Sequence, residues 1–232
     1  MLNKKGNAIV DIKISELYDL SHTAAREYLE GFIYPWEALS GISDMIIALG
    51  EKLDASEYDY KGDNVWISKT AKVFPSAYIG GPCIIGHNTE VRQGAFIRGS
   101  ALVGEGCVVG NSTELKNVIL FDGVQVPHYN YVGDSILGYK SHMGAGSITS
   151  NVKSDKTHVH IKDRESGEDI DTGRKKVGAA LGDFVEVGCN SVLNPGTVIG
   201  RNSSVYPLSS TRGVIPSGSI YKTGAKIVRK IQ

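Results

Sequence analysis

Two cations with a fixed spacing are the first residues able to do chemistry. Arg98 and Lys116 lie 18 residues apart, and each directly follows an aliphatic residue, Ile97 or Leu115. If the chain repeats structurally every 18 residues, both project from one face at neighbouring levels. Two like charges held that close repel unless an anion lies between them, which makes the pair a candidate phosphate clamp. The plainer alternative is a solvated face on which these cations and Arg92 take partners such as Glu90 or Glu114. His128 follows Val126 by two residues, with Tyr129 and Tyr131 beside it, and His142 precedes Met143. An imidazole changes charge near neutral pH and suits a general base; near an apolar corner, taken alone, it is more often a structural group. Two histidines on one face also permit a zinc site, and His158-Val159-His160 is a weak metal signal that reads as well as exposed strand.

Other chemistry is missing from the pattern. There is no P-loop. The Gly144-Ala145-Gly146 fragment has no helix after it and does not make a dinucleotide site. Cys83, Cys107 and Cys189 are too few and too scattered for a disulfide framework or a CxxC zinc site. That usage and the lack of a signal-like apolar run in MLNKKGNAIVDIKI predict a cytoplasmic protein. Lys+Arg and Asp+Glu both number 25, so the net charge is zero. No global field draws nucleic acid or a membrane, and neither is expected as a partner. No segment approaches the ~20 apolar residues that span a bilayer.

The elements that position these residues follow from a period of six. Ile67, Val73, Ile79, Ile85, Val91, Ile97, Val103, Val109 and Leu115 recur at that spacing, with small residues such as Ala95, Ala101 and Cys107 two places earlier. Six fits neither a helix nor a single strand; it fits a short strand plus a corner. Three such units close a triangular coil, aliphatic residues inward, and successive coils pair as parallel strands ~4.8 Å apart. The predicted fold is mainly β, a left-handed parallel β-helix of hexapeptide repeats. This explains a composition with 28 Gly, 7 Pro and only 8% aromatic residues: many corners surround a thin core.

The inward series continues with a slip through Leu120, Val126, Val132, Leu137, Met143 and Ile148, and resumes at Leu181, Val187, Leu193, Ile199 and Val205. Between them, residues 152–176 are polar and charged, with alternation at Val159 and Ile161 and a turn signal at Ser166-Gly167, which predicts a protruding hairpin loop. Residues 1–62 read as an N-terminal helical cap. Residues 15–30 look helical, and Pro35 opens a segment with apolar Trp36, Leu39, Ile42, Ile46, Leu49 and Leu53 at helical spacing. These helices are expected to close the open end of the β-helix. Residues 63–232 form the β-helix domain, with a tail over 214–232.

The stretches IRGSALVGEGCVVGNSTELKN, VPHYNYVGDSILGYKSHMGAGSITSN and DTGRKKVGAALGDFVEVGCNSVLNPGTVIG carry a family resemblance. Over roughly residues 65–225 the chain resembles the acetyltransferase half of bifunctional sugar-1-phosphate nucleotidylyltransferases. The bacterial N-acetylglucosamine-1-phosphate uridylyltransferase/glucosamine-1-phosphate acetyltransferase is one such enzyme, and the archaeal-type enzymes are more similar in PHYNYVGDSILG. The resemblance implies an acetyl-CoA-dependent acyltransferase of nucleotide-sugar biosynthesis, acting on an amino sugar 1-phosphate such as glucosamine 1-phosphate. It implies His128 as the catalytic base, Arg98 and Lys116 on phosphate, Tyr131, His142 and Asn151 on the sugar, and Ala145 and Cys189 beside the acetyl-CoA channel. It implies a homotrimer with sites between subunits, loop 152–176 covering the neighbour's site, and no metal.

The chain departs from that family in two ways. No Gly-rich nucleotide loop precedes the hexads, so a separate nucleotidylyltransferase becomes an expected partner. His142 stands where the bacterial enzymes have Asn fourteen residues after the base, and Val152 where they have Tyr. Two rival readings stay open: a zinc enzyme of the γ-carbonic anhydrase type, whose expected H-x4-H spacing is not met by His128 and His142, and a non-catalytic trimeric partner of a nucleotidylyltransferase.

Overall fold

Short strands, most of them two to four residues long, turn at regular corners and stack coil upon coil into a three-faced prism, seen in a computed structural model that describes residues 12–162, 167 and 169–230. The pairing is parallel along all three faces, as the hexads of the left-handed β-helix require. The first face carries Val65–Ser68, Cys83–Ile85, Ala101–Val103, the second halves of Glu114–Leu120 and Tyr131–Leu137, then Ala179–Leu181, Thr197–Ile199 and Val214–Ile215. The second runs from Lys72–Val73 through Val108–Asn111, Gln125–His128 and His142–Met143 to Ser219–Lys222. The third runs from Tyr78–Ile79 and Phe96–Ile97 through the first halves of the two long strands to Ile148–Thr149, Val192–Leu193 and Ser210–Thr211.

The aliphatic column fills the interior. Ile85, Val91, Ile97, Val109, Leu115, Val126, Val132 and Leu193 are all completely buried, each contributing roughly 1.5–3 kcal/mol on burial. One inward position differs from expectation. Tyr131 pairs with Ile148, and Thr149 pairs with Leu193, so Thr149 points inward and Ile148 outward. The interior tolerates this hydroxyl because Thr149 Oγ1 accepts the Gly133 N–H at 2.9 Å. The interval after Met143 is thus a regular six, and the aliphatic residue one place early misleads.

Glycine works here mainly by absence of bulk. A Cβ on Gly110 would lie 1.5 Å from the Pro127 carbonyl oxygen of the next coil. The left-handed corner positions are filled as often by other residues, such as Asn117, Tyr129, Asp134 and Asn190.

The helical segment is not where an end cap would be. Its main helix, Ile42–Gly50, packs on the first-face strands Cys83–Ile85, Ala101–Val103 and Glu114–Leu120. The Tyr18 hydroxyl donates to the Ile136 carbonyl at 3.3 Å, and the Asp183 N–H to the Leu17 carbonyl at 3.0 Å. The segment therefore lies along a flank. The reason is in the outward column of the first face: Trp66, Ile84, Leu102, Ile119, Ile136, Ala180, Val198 and Val214 are apolar and buried. That face is covered on both sides, like a central sheet of an α/β protein. Residues 15–30 are not one helix. Ile14–Leu17, a 3-10 turn at Leu20–His22 and Arg26–Leu29 are separated by extended Tyr18, Asp19 and Thr23, and the Asp19 side chain accepts the Ser21 N–H at 3.0 Å.

Antiparallel strands protect the coil edges instead. Tyr58–Tyr60 pairs on Val65–Ser68, and Lys226–Arg229 on Ser219–Lys222. His160–Lys162 and Asp169–Asp171 form the hairpin in the charged loop. Val159 and Ile161 are buried against the coils, where Gly196 leaves room for them. Ser166 of the turn signal lies outside the described residues, as does most of the N-terminal stretch read for a signal. No described helix is long and apolar enough to cross a membrane.

Candidate functional site

Two neighbouring edges of the prism gather most of the residues singled out from the sequence. The first is the corner between the second and third faces. Backbone hydrogen bonds run up it: Tyr129 N–H to Asn111 O at 2.8 Å, Gly146 to His128 at 3.0 Å, Asn190 to Ala145 at 2.8 Å, and Leu208 to Cys189 at 2.9 Å. His128, Ala145 and Cys189 therefore occupy one column on successive coils. Asn130, unnoticed in the sequence, holds the turn. Its side-chain oxygen accepts the His128 N–H at 3.1 Å, and its amide donates to the Gly144 and Ser147 carbonyls at 2.9 and 3.0 Å. The His128 ring is exposed and has no hydrogen-bond partner among the described residues. Cys189 is an exposed free thiol; Cys83 and Cys107 are buried, and burial pushes both thiols up, Cys107 to about 12.

The second group lies across the third face and its far edge, about 7–10 Å from that corner by strand rise. Arg98 and Lys116 do stack, with the Arg98 N–H on the Leu115 carbonyl at 2.9 Å. Each has a carboxylate of its own. Arg98 Nη1 meets Glu114 Oε1 at 2.8 Å, half exposed, and this contact raises the guanidinium pKa further. Lys116 Nζ meets Asp134 Oδ1 at 3.0 Å. The anions between the cations are thus supplied by the chain, and the solvated alternative holds for Arg98 with Glu114 and for Arg92 with Glu90 at 2.7 Å.

Tyr131 and Asn151 join the same cluster. The Asn151 amide donates to the Tyr131 hydroxyl at 3.3 Å and to Asp134 Oδ2. The Tyr131 ring reaches across its strand because Gly133 has no side chain; a Cβ there would sit 2.5 Å from the hydroxyl. Burial, then the Asp134 and Glu114 carboxylates, push the phenol above its ordinary value, so it remains a donor. Asp134 and Gly133 are cluster members that the sequence motifs do not single out, whereas Glu114 is the partner expected for a solvated cation. A signal existed: Asn117, Asp134 and Asn151 are spaced by 17 residues, the length of the coils at the slips.

His142 stands apart. It aligns with Gln125, at the opposite end of the second face from His128, three residues or about 10 Å along the strand. Its Nδ1 lies 2.8 Å from Glu186 Oε2. Within one chain the two histidines cannot share an ion. His158 and His160 are exposed hairpin residues beside Asp171 and Asp169, at 3.3 and 2.9 Å.

Fold and site together define a hexapeptide-repeat β-helix with a polar cluster on one face. Its similarities narrow the class. Residues 79–166 match the family model of the GMPPB C-terminal domain. A bifunctional sugar-1-phosphate nucleotidylyltransferase/acetyltransferase of Sulfurisphaera tokodaii is 32% identical over 107 residues, 46% of this chain and 26% of that protein. The bifunctional protein GlmU of Methanococcus maripaludis is 32% identical over 196 residues, 83% of this chain and 47% of that protein. The chain spans less than half the length of these relatives. Among solved structures, a hexapeptide transferase family protein from Anaplasma phagocytophilum superposes with a TM-score of 0.41 at 21% identity, covering 72% of this chain and 81% of that one. The chain is similar to the β-helix part of sugar-1-phosphate nucleotidylyltransferases, over their C-terminal region.

Proposed function

We propose that the protein is an acyl-CoA-dependent N-acetyltransferase acting on an amino sugar 1-phosphate. The observation that carries this reading is the gathering of Arg98, Lys116, Tyr131 and Asn151 on one face, beside a His128 ring with no competing partner among the described residues. The phosphate takes Arg98 from Glu114 and joins Lys116, each charge-assisted contact being worth roughly 1.5–3 kcal/mol. Tyr131 and Asn151 hold the sugar. The His128 imidazole removes a proton from the amine as the nitrogen attacks the thioester carbonyl. A C–N bond forms, the C–S bond breaks, and His128 returns the proton to the leaving thiolate. No covalent enzyme intermediate is required.

A homotrimer completes the reading: the His128–Ala145–Cys189 corner lines an acyl-CoA channel against a neighbouring copy, and hairpin 152–176 covers the neighbour's site. A separate nucleotidylyltransferase would use the product. A cytoplasm, where thiols stay reduced, suits the free cysteines. The names of the relatives, nucleotidylyltransferase/acetyltransferase among them, support the chemistry.

The test follows free thiol when the protein meets acetyl-CoA and either glucosamine 1-phosphate or galactosamine 1-phosphate. Acceptor-dependent release is expected with one of them; silence with both rejects the reading. Light scattering should give three chains per particle. Gly133→Ala should fold normally yet raise the acceptor KM about tenfold, by pushing the Tyr131 hydroxyl off its place, since a lost neutral hydrogen bond costs about 0.5–1.5 kcal/mol. An unchanged KM would remove Tyr131 from the sugar site.

A further inference from the structure

We infer that Asp134 is the positioning residue of the acceptor site, and that the two cations are unequal because of it. Asp134 Oδ1 accepts from Lys116 at 3.0 Å and from the Asn117 amide at 2.9 Å; Oδ2 accepts from Lys116 at 3.3 Å and from Asn151. Its side chain is only 4% exposed. A carboxylate that buried is tolerated when its lone pairs are filled and a cation faces it, and here three side chains supply that. The backbone is committed as well. Asp134 sits at φ +48° and Asn117 at +56°, a conformation that Asp and Asn adopt more readily than most residues. The Asn117 amide also reaches the Leu39 carbonyl at 3.1 Å, and the Gly178 N–H bonds the Asp134 carbonyl at 2.8 Å. The flanking helical segment is thereby tied to the carboxylate that aims Lys116 and Asn151.

Glu114 contrasts with this. Among the described residues its side chain bonds Arg98 alone, and both are open to solvent, at 31% and 49%. An incoming phosphate can displace Glu114 from Arg98, because water takes up the released carboxylate. It cannot displace Asp134 from Lys116 without stranding a buried charge. Lys116 is therefore the fixed half of the clamp and Arg98 the half that changes partner. Charge counting alone predicts that neutralising either carboxylate tightens phosphate binding. Positioning predicts opposite signs: Glu114→Gln binds phosphate more tightly, Asp134→Asn more weakly.

The catalytic meaning of this rests on the acyltransfer reading, but the positioning does not, so two readouts are needed. Calorimetry with glucosamine 1-phosphate and with inorganic phosphate would compare the wild type, Asp134→Asn, Glu114→Gln, Lys116→Met and the Asp134→Asn/Lys116→Met double variant. Asp134→Asn is expected to weaken glucosamine 1-phosphate binding about tenfold and to add little in the Lys116→Met background. Equal or tighter binding by Asp134→Asn, or full additivity in the double variant, overturns the inference. The second readout needs no ligand: mass-spectrometric mapping of lysine acylation by an amine-reactive ester. Lys116 should label several times faster in Asp134→Asn than in the wild type, with the other lysines unchanged; an unchanged Lys116 rate also overturns it. If no amino sugar phosphate binds the wild type, the functional reading fails while the labelling still decides the positioning. Should Asp134→Asn not fold, Asn117→Ala loosens the same carboxylate, and the same acceleration at Lys116 is required of it.

Discussion

Replacing His128 by alanine is expected to lower acceptor-dependent thiol release by about 10^2–10^4-fold, the usual worth of a general base, while the melting temperature stays where it is. The two halves of that statement have separate causes. The ring is exposed and bonds no other described group, so its removal leaves nothing buried and unsatisfied. The corner is held by main-chain atoms and by Asn130: the His128 carbonyl takes the Gly146 N–H at 3.0 Å, and the His128 N–H goes to Asn130 at 3.1 Å. Alanine keeps all of these. Asn130→Ala is the informative control, because it leaves the Gly144 and Ser147 carbonyls without their 2.9 and 3.0 Å donors and should lower stability as well as rate. Initial rates and thermal melts on the three proteins separate the roles. Near wild-type release from His128→Ala would place the base elsewhere.

Gly110→Ala should damage the fold more than any other single methyl group considered above. The added carbon would lie 1.5 Å from the Pro127 carbonyl oxygen and 2.3 Å from its Cα. Both are backbone atoms of the adjacent coil, at a spacing of ~4.8 Å that parallel pairing fixes. No rotamer relieves such a contact, so the coils must part, at a cost of about 3 kcal/mol or more, equivalent to roughly 6–12 °C in melting temperature for a domain of this size. Gly106 provides the contrast. Its φ is +60° but a Cβ there meets nothing within 4 Å, so Gly106→Ala carries only backbone strain, about 1 kcal/mol. Differential scanning calorimetry should rank the two in that order. The reverse order would mean that corner conformation, and not coil separation, is what the glycines protect.

How far such features can be read in the sequence depends on whether they are periodic. The inward column is, because every coil repeats the same strand and corner, and so Leu115, Val126 and Leu193 are buried where the hexads put them. The flank occupied by the helices was equally periodic. Only on every third hexad is the residue before the inward one steadily apolar, as at Ile84, Leu102, Ile119 and Ile136. Read that way, the pattern locates the helical cover on one face and not at the end. Thr149 escaped because an inward hydroxyl satisfied by the Gly133 N–H looks polar in sequence, and Ile148 beside it looks like core. The stacking of Arg98 on Lys116 follows from the 18-residue spacing and Glu114 is a foreseeable partner, but Asp134 is not. Whether Arg98 turns to Glu114 and Lys116 to Asp134 is decided by rotamers and by a left-handed corner at Asp134. The separation of His142 from His128 was lost for a simpler reason: sharing a face says nothing about which end of the strand a residue occupies.

The measurement that bears most directly on the central claim is the identity of the product. The purified chain would be incubated with isotopically labelled acetyl-CoA and glucosamine 1-phosphate or galactosamine 1-phosphate, and the sugar phosphate analysed by mass spectrometry beside the released thiol. The account predicts an N-acetylated sugar 1-phosphate carrying the label, formed one for one with free CoA, and lost in His128→Ala. Thiol release with no label on the sugar, or labelled sugar undiminished in His128→Ala, would contradict it.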